Sequence, residues 1–225
     1  MIICLIPARI GSKRIKEKNI KKFFGKPLIS YAIANARKSK LFDKIIISTD
    51  SLKIAKIAKK YGGEVPYLRS KKLADDKTKD KSVLFDFLKR YKIKPKYICY
   101  LYPTTPLLKT KTLIKSFKVI KNKNTYQVFT ISKIHSNIQN LKKIYKLKKN
   151  GELKIKILKK KMKVIKKYKS YYYDAGQLYW FNFSKQKIKK KSIGIIVSKN
   201  EAIDINTIKD FDLAKKVYSS IKNNK

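Results

Sequence analysis

The sequence contains few cysteine, glycine, proline, arginine and acidic residues, and it has no long apolar run. Two cysteines among 225 residues, each inside a short apolar stretch, exclude a disulfide-built scaffold and predict buried, reduced thiols. No run approaches the roughly 20 apolar residues that a membrane-spanning helix needs. The apolar stretch at 2–6 is also too short for the core of a signal peptide. The sequence therefore predicts a cytoplasmic protein with no membrane association.

The scarcity of acidic residues leaves a formal net charge of +45, with 59 Lys and Arg against 14 Asp and Glu. Such a charge suggests a nucleic-acid-binding surface. However, Arg, which suits bidentate recognition of nucleic acid, occurs only five times, and lysine is spread along the whole chain. We attribute the excess to a general compositional bias and do not expect a nucleic-acid partner. A Lys-rich nucleic-acid-binding module, with steeply salt-dependent affinity, is the alternative from another functional class.

Short apolar runs alternate with stretches of helical periodicity. Strands are predicted at 2–6, 44–48, 97–102, 127–132 and 194–198. Helices are predicted at 27–39, 51–63, 82–91, 110–121 and 207–221. This order predicts a single α/β domain over residues 1–225, a Rossmann-like three-layer α/β/α sandwich with a mostly parallel sheet. Ligands of such sheets lie beyond the carboxyl ends of the strands, so the loops after residues 6, 48 and 102 are the expected site.

The stretch from about 133 to 170 departs from this alternation. Its segment LKKIYKLKKNGELKIKIL alternates apolar and lysine residues on both sides of Asn150-Gly151, which predicts a β-hairpin. We expect an arm that projects from the sandwich. Such an arm either is a solvated decoration or contacts a second subunit or covers the active site.

The loop after the first strand, PARIGSKRIKEKN, has the residue types that a triphosphate requires. Gly11 lets the backbone approach a ligand closely, and exposed loop amides can face phosphate oxygens. Arg9 offers a planar pair of donors, whereas Lys13 and Lys18 offer mobile point charges. Asn19 can bind a sugar hydroxyl or a phosphate. The loop is neither a Walker loop nor a G-x-G-x-x-G turn, so its composition alone leaves a merely solvated lysine loop open.

An ordered series of motifs resembles the acylneuraminate cytidylyltransferases, which make CMP-activated nonulosonic acids. The first is IPARIGSKRIKEKNI, similar to the family signature P-A-R-x-G-S-K-[GR]-x-x-x-K-N-[IL]. The others are FGKPLISYAI, LFDKIIISTD, YGGEVPYLRSKKLADD, YLYPTTPLL, DAGQLYWF and DINTIKDFDLAKKVY. Together they cover nearly the whole chain except the arm. The D-A-G-x-x-Y form resembles the family members that act on pseudaminic acid.

The resemblance implies transfer of CMP from CTP to the anomeric hydroxyl of a nonulosonic acid, with release of pyrophosphate. Arg9 and Lys18 are implied as catalytic residues, because this chemistry relies on positioning and on neutralising phosphate charge. The implied nucleotide-binding residues are Arg9, Ser12, Lys13, Lys18, Asn19, Arg69 and Thr78. The segment 77–80, which contains Thr78, is richer in Thr, Ser and Gly in the family than it is here.

Specificity for the sugar is expected where pocket groups match its hydroxyl and amide pattern. The implied sugar-binding residues are Tyr102, Thr104, Gln177 and Tyr179. Pseudaminic acid is the first expectation, and legionaminic acid, N-acetylneuraminic acid and 3-deoxy-manno-octulosonate are the alternatives.

The family has a D-x-D metal site near its C-terminus, where this chain reads Asp204-Ile205-Asn206. The resemblance implies Mg²⁺ (or Mn²⁺) as cofactor, with Asp204 and Asn206 as ligands on one face of an extended segment. Asn206 supplies no charge, so weaker metal binding is expected. Ile10 replaces the glycine that usually precedes Gly11 in the family's A-R-G-G-S-K segment, which stiffens the loop. These two departures leave open a member that binds nucleotide but turns over poorly. Relatives are commonly dimeric, so a homodimer is expected, with the arm as its contact.

Overall fold

The computed structural model describes residues 1–75, 78–122, 125–134, 141–162, 170–184 and 191–223. The strands are β1 (Ile2–Pro7), β2 (Lys22–Phe23), β3 (Lys26–Pro27), β4 (Lys44–Ser48), β5 (Tyr97–Leu101), β6 (Gln127–Lys133), β7 (Leu141–Leu147), β8 (Leu153–Met162), β9 (Tyr172–Asn182) and β10 (Ser192–Ile196). The helices are α1 (Leu28–Ser39), α2 (Leu52–Lys60), α3 (Asp80–Tyr91), α4 (Thr110–Asn122) and α5 (Ile208–Asn223). The predicted alternation of strands and helices is therefore confirmed. None of the described helices combines the length and apolar character needed to cross a bilayer.

The main sheet has the strand order β10-β6-β9-β5-β1-β4. β1 pairs in parallel with both β4 and β5, and β10 pairs in parallel with β6. β9 runs antiparallel between β5 and β6, so β5 and β6 share one direction. The sheet is thus mostly parallel, as predicted, with one reversed strand at its centre.

Both faces of the sheet are covered by helices. On one face the apolar side chains of α1, α2 and α4 pack against residues such as Cys4 and Cys99, which are neighbours in register on β1 and β5. On the other face α3 packs Leu84 and Phe87 against Ile3 and its neighbours. Both cysteines are free and fully buried. The predicted three-layer sandwich and the predicted buried thiols are confirmed.

The long strand β9 was not predicted from the sequence. Its sequence YYDAGQLYWFN mixes aromatic and polar residues and lacks the continuous apolar character of the other central strands. Its pairing with β5 and β6 fills the gap between the two parallel groups. Trp180, fully buried, packs on the same face as α4 and donates from Nε1 to Ser116 Oγ at 2.9 Å.

The predicted hairpin consists of β7 and β8 around a turn in which Gly151 has a φ of 86°. Its turn does not stand away from the sandwich, as expected of a projecting arm, but lies against β10. The Gly194 amide donates to the Gly151 carbonyl at 3.2 Å. A Cβ at Gly194 would come within 2.9 Å of Leu153, so the missing side chain permits this approach. The flanking parts of the predicted arm, residues 135–140 and 163–169, lie outside the described residues.

Candidate active site

A cavity of about 540 Å³ lies at the carboxyl ends of β1 and β5, where the strand order predicts a ligand. Most of the residues that the sequence assigned to the site line it together. They are Arg9, Ser12, Lys13, Lys18, Asn19, Arg69, Thr78, Tyr102, Thr104, Asp204 and Asn206. Residues from five separate segments of the chain thus converge on one space.

The loop after β1 is held by a side chain of its own and by a carboxylate from the loop after β4. The Ile10 amide donates to Asp50 Oδ1 at 3.0 Å, and the Asn19 side-chain amide donates to the Arg9 carbonyl at 2.8 Å. Asn19 is buried and therefore fixes the loop as well as lining the cavity. A Cβ at Gly11 would meet no atom within 4 Å. Open space therefore lies next to the loop backbone, as the approach of a phosphate requires.

Lys18 lies in the centre of the polar side chains of the cavity. Its ammonium donates to the Ile205 carbonyl at 2.7 Å and to Asn206 Oδ1 at 3.3 Å. Burial lowers the pKa of Lys18, and the nearby Asp204 opposes that shift. Arg14, which the sequence interpretation left without a role, also donates to Asn206 Oδ1, at 3.4 Å. Two cations therefore face Asn206, which stands in place of the second aspartate of the D-x-D motif.

Asp204 is held by a hydroxyl on one oxygen and an amide on the other. Thr104 Oγ1 donates to Asp204 Oδ1 at 2.5 Å, and Asn206 Nδ2 donates to Asp204 Oδ2 at 2.6 Å. Burial raises the pKa of Asp204, whereas the Thr104 hydrogen bond and the charge of Lys18 lower it. Thr104 thus contacts Asp204, a role not foreseen for a residue expected to bind sugar.

The arrangement of these oxygen atoms suits a metal ion held by one carboxylate and by substrate oxygens. No group of three or more His, Cys, Asp or Glu residues that could hold a metal occurs within the described ranges. Mg²⁺ commonly uses one or two carboxylates together with substrate phosphates, and Asp204 retains lone pairs after its two hydrogen bonds. Asn206 fits less well, because its oxygen faces Lys18 and Arg14 and its nitrogen faces Asp204.

Gln177 and Tyr179 are not among the residues that line this cavity. Gln177 is fully buried, and its Nε2 donates to the Glu201 carbonyl at 2.5 Å. Tyr179 donates its hydroxyl to Asp174 Oδ2 at 2.8 Å, and its ring lies 5.9 Å from that of Tyr102. The structure therefore places Gln177 in the interior and Tyr179 behind the cavity wall.

A second cavity of about 480 Å³ adjoins the first and shares Asp204 and Asn206 with it. Asp174, Gly176 and Lys199 also line it. Burial raises the pKa of Asp174, and the hydrogen bonds from the Gly176 amide and the Tyr179 hydroxyl oppose that shift. Sequence reasoning assigned no role to Asp174 individually, although it begins the D-A-G-x-x-Y motif. Two adjoining cavities that share the Asp204 carboxylate suit a reaction in which two bound substrates react with each other.

Comparison with known proteins supports this description of the site. The chain matches the family described as "Cytidylyltransferase" over residues 3–223. It is 35% identical to a protein of Campylobacter jejuni named pseudaminic acid cytidylyltransferase, over 96% of this chain and 95% of that one. It is 37% identical to a CMP-N,N'-diacetyllegionaminic acid synthase of Legionella pneumophila, over 53% of each chain.

The fold is similar to that of solved structures with little sequence identity. One is a CMP:2-keto-3-deoxy-manno-octonic acid synthetase complexed with CTP, with a TM-score of 0.76 and 12% identity, covering 97% of this chain and 98% of that one. At such identity the likeness speaks for the fold alone.

Proposed function

The chain belongs to the cytidylyltransferase family, and on that basis we propose that it transfers CMP from CTP to the anomeric hydroxyl of a nonulosonic acid and releases pyrophosphate. Pseudaminic acid is the proposed acceptor, because two relatives that match nearly the whole chain are named for it. The observation that carries the proposal is the convergence of the cationic loop after β1 and Asp204 on one cavity.

The first cavity suits the nucleotide. Arg9, Lys13 and Lys18 line it and would neutralise the triphosphate, and the loop amides near Gly11 would donate to phosphate oxygens. In the reaction the anomeric hydroxyl gives up its proton to the solvent, its oxygen bonds to the α-phosphorus, the bond from that phosphorus to the bridging oxygen breaks, and pyrophosphate leaves. Lys18 is a fixed cation that needs no reorganisation as charge develops, and this is the main way in which proteins accelerate such transfers.

The second cavity suits the acceptor sugar. It adjoins the first at Asp204, so a hydroxyl placed there faces the nucleotide cavity, and Lys199 offers a cation for the carboxylate of the acid. In this arrangement Tyr102 and Tyr179 support the wall between the cavities. Gln177 fixes the strand behind it through Glu201.

We propose Mg²⁺, with Mn²⁺ as a substitute, as the cofactor, held by Asp204 and the phosphates. When bound, the ion would neutralise charge on the phosphate oxygens. Asn206→Asp should lower the Mg²⁺ concentration needed for half-maximal activity, because a second carboxylate replaces an amide. Unchanged metal dependence would mean that position 206 lies outside the coordination shell.

The experiment that tests the function is release of pyrophosphate from purified protein with CTP, Mg²⁺ and one nonulosonic acid at a time. We expect release that depends on all three, and most strongly with pseudaminic acid. A higher rate with legionaminic acid, N-acetylneuraminic acid or 3-deoxy-manno-octulosonate would reassign the sugar. Background release with every acid would refute the enzyme assignment.

We also propose that the protein acts as a homodimer in the cytoplasm, with the hairpin β7–β8 in the contact. Ile155 and Ile157 are 56% and 69% exposed on β8, whose only strand partner within the described part of the chain is β7. Replacing both with Lys should shift the protein towards the monomer in sedimentation experiments. The unfolding temperature separates this effect from misfolding, since exposed positions tolerate lysine.

A further inference from the structure

The loop after β1 is held by several contacts at one residue, Ile10. Its amide donates to Asp50 Oδ1 at 3.0 Å, and its carbonyl accepts from the Ser12 amide at 2.9 Å. Its side chain is partly buried and packs against the core cluster between the sheet and helices α1, α2 and α4. Donor, acceptor and side chain are thus all engaged, so contacts within the protein fix the backbone at this position.

The residues just before Ile10 are fixed in a similar way. The Ala8 amide donates to the Ser48 carbonyl at 2.9 Å, and Ala8 is fully buried. The Arg9 carbonyl accepts from the side chain of Asn19 at 2.8 Å. The chain therefore reaches Ile10 along a path that is set by β4 and by the far end of the same loop.

The four residues that follow Ile10, 11–14, form the outer side of the loop, and three of them line the nucleotide cavity. Ile15 then returns to the interior, where it is 2% exposed and packs against Ile205, next to Asp204. Isoleucines at both ends thus anchor a short stretch whose polar backbone faces the cavity. The anchors are apolar, so they leave that backbone available to a ligand.

Asp50, which receives the Ile10 amide, is itself held by its neighbours. Thr49 is fully buried, and its carbonyl accepts from the Arg69 amide at 2.7 Å. Thr49 Oγ1 accepts from the amide of Ser51, the N-cap of α2, at 3.2 Å. The carboxylate of Asp50 therefore projects from a fixed junction between β4 and α2, and it can hold the loop in one position.

We propose that Ile10 and Asp50 are positioning residues that preform the loop for the triphosphate. A backbone already fixed within the protein loses less conformational entropy when phosphate oxygens bind to it, so the affinity for the nucleotide is higher. This role rests on the proposed function only in taking CTP as the ligand of the cavity. Stiffness at position 10 then aids nucleotide binding and is not a cause of poor turnover.

The size of the effect follows from how much of the backbone a substitution releases. Freeing the backbone of one residue corresponds to a loss of about fivefold to thirtyfold in affinity. Ile10→Gly removes the packed side chain and opens further backbone conformations, so it should show this full loss. Ile10→Ala removes the packing but keeps a restricted backbone, so a loss of about twofold to fivefold is expected. Ile10→Val keeps both features and should bind CTP like the wild type.

The test is binding of CTP in the presence of Mg²⁺ and without acceptor sugar, measured by calorimetry. Ile10→Gly should bind CTP more weakly through a less favourable entropy of binding. In steady-state assays the same variant should have a higher KM for CTP and a nearly unchanged kcat, because Ile10 supports the loop and is not among the described residues that line the cavity. An affinity for CTP equal to or higher than that of the wild type would overturn the proposal.

At position 50 the informative pair is asparagine and alanine. Asp50→Asn keeps an oxygen that can accept from the Ile10 amide, so the affinity for CTP should stay within about twofold of the wild type. Asp50→Ala removes the acceptor and leaves the amide unpaired, so the affinity should fall about tenfold. Equal losses in the two variants would show that the charge of Asp50 matters and would overturn its positioning role.

Ile57→Ala is the matched control for Ile10→Ala. Ile57 is also partly buried against the same core cluster, but it lies on α2 and is not among the described residues that line the cavity. Both substitutions should lower the unfolding temperature, and only Ile10→Ala should weaken CTP binding. An equal loss of affinity in both would overturn the proposal. If Ile10→Gly does not fold, this pair carries the comparison.

Hydrogen exchange of the segment 8–14 gives a readout that needs no ligand. The amides of Ile10 and Ser12 are hydrogen-bonded, and in Ile10→Gly the segment should exchange faster than in the wild type. Ile57→Ala should leave its exchange unchanged. Equal exchange in Ile10→Gly and the wild type would overturn the proposal. A wild-type protein that binds CTP but turns over no sugar would count against the proposed function and leave this inference standing.

Discussion

Lys18 and Lys154 carry the same side chain in opposite surroundings. Lys18 is partly buried in the cavity, bonded to a carbonyl and an amide oxygen, and its pKa is lowered by burial. Lys154 is exposed on β8, and its partner in register across the hairpin is another exposed lysine, Lys146. A net charge of +45 therefore says little about function until each cation is placed. This difference in surroundings predicts that substitutions near Lys18 change activity strongly, whereas substitutions on the hairpin change stability slightly.

The largest effect is expected from removing the cation at position 18. Lys18→Ala should lower kcat/KM about 100-fold to 1000-fold, the range for loss of one preorganised group that stabilises transition-state charge. The measurement is pyrophosphate release. Lys16→Ala is the control, since Lys16 is exposed in the same loop, and it should change kcat/KM less than about twofold. Equal losses in the two variants would mean that the loop acts through its total charge alone.

A smaller effect is expected from the hydroxyl that orients Asp204. Thr104→Val keeps the shape and removes the 2.5 Å hydrogen bond to Asp204, so kcat/KM should fall by about tenfold and more Mg²⁺ should be needed. Thr112→Val is matched to it, because the Thr112 hydroxyl donates at 2.5 Å to Glu201, outside the cavity. Thr112→Val should lower the unfolding temperature and leave the metal dependence unchanged.

Replacing Glu152, in the turn of the hairpin, is expected to change stability in a way that depends on pH. Hydrogen bonds from Lys191 and Lys148 lower the pKa of Glu152 to about 2 from its usual 4.5. Because the pKa is lower in the folded state, the stabilising contribution is complete above about pH 4.5 and disappears as the pH falls towards 2. Glu152→Gln should thus lower the unfolding temperature by no more than a few degrees at pH 7. The two proteins should converge at low pH, and a constant difference would contradict the assignment.

The smallest effect is expected at Lys154 itself. Like charges directly opposite each other across a strand pair are destabilising, and opposite charges contribute about 0.2–1 kcal/mol. Lys154→Glu should therefore raise the unfolding temperature slightly and leave kcat/KM unchanged. Lys154→Gln, which removes the repulsion without adding attraction, should give about half the gain. A fall in kcat/KM with Lys154→Glu would contradict this prediction and would mean that the hairpin contributes to catalysis.

The sequence predicted best those elements whose residues specify them locally. The run KIIIS predicted β4 with its bounds as found, and the N-cap Ser51 accepts from the Ile54 amide at the start of α2. β10 was predicted two residues late, because its pairing with β6 begins at Ser192 rather than at the apolar run. β9 was not predicted at all, since its partners on both sides, rather than its own pattern, make it a central strand.

The residues of the candidate site also fall into those that could be predicted from the sequence and those that could not. Residues at strand ends, such as Arg9 and Thr104, were predictable because a parallel sheet brings those ends to one edge. The inward orientation of Gln177 was not, because its hydrogen-bond partner is the carbonyl of Glu201, 24 residues away. The hydroxyls that donate to Asp80 likewise come from distant residues, Tyr100 on β5 and Tyr102 in the loop after it.

The reversed central strand has a consequence for synthesis of the protein. β9 is the only described strand that joins the group β1, β4 and β5 to the group β6 and β10, and it follows the hairpin in the chain. A nascent polypeptide that has left the ribosome only as far as residue 133 therefore exposes the edges of β5 and β6, and the fully buried sequence YICYL of β5 is then unpaired on one side. The two groups of strands cannot be joined until β9 has been translated as far as residue 182. Until then the unpaired edges of β5 and β6 are exposed, and chaperone binding at this stage would protect them from aggregation.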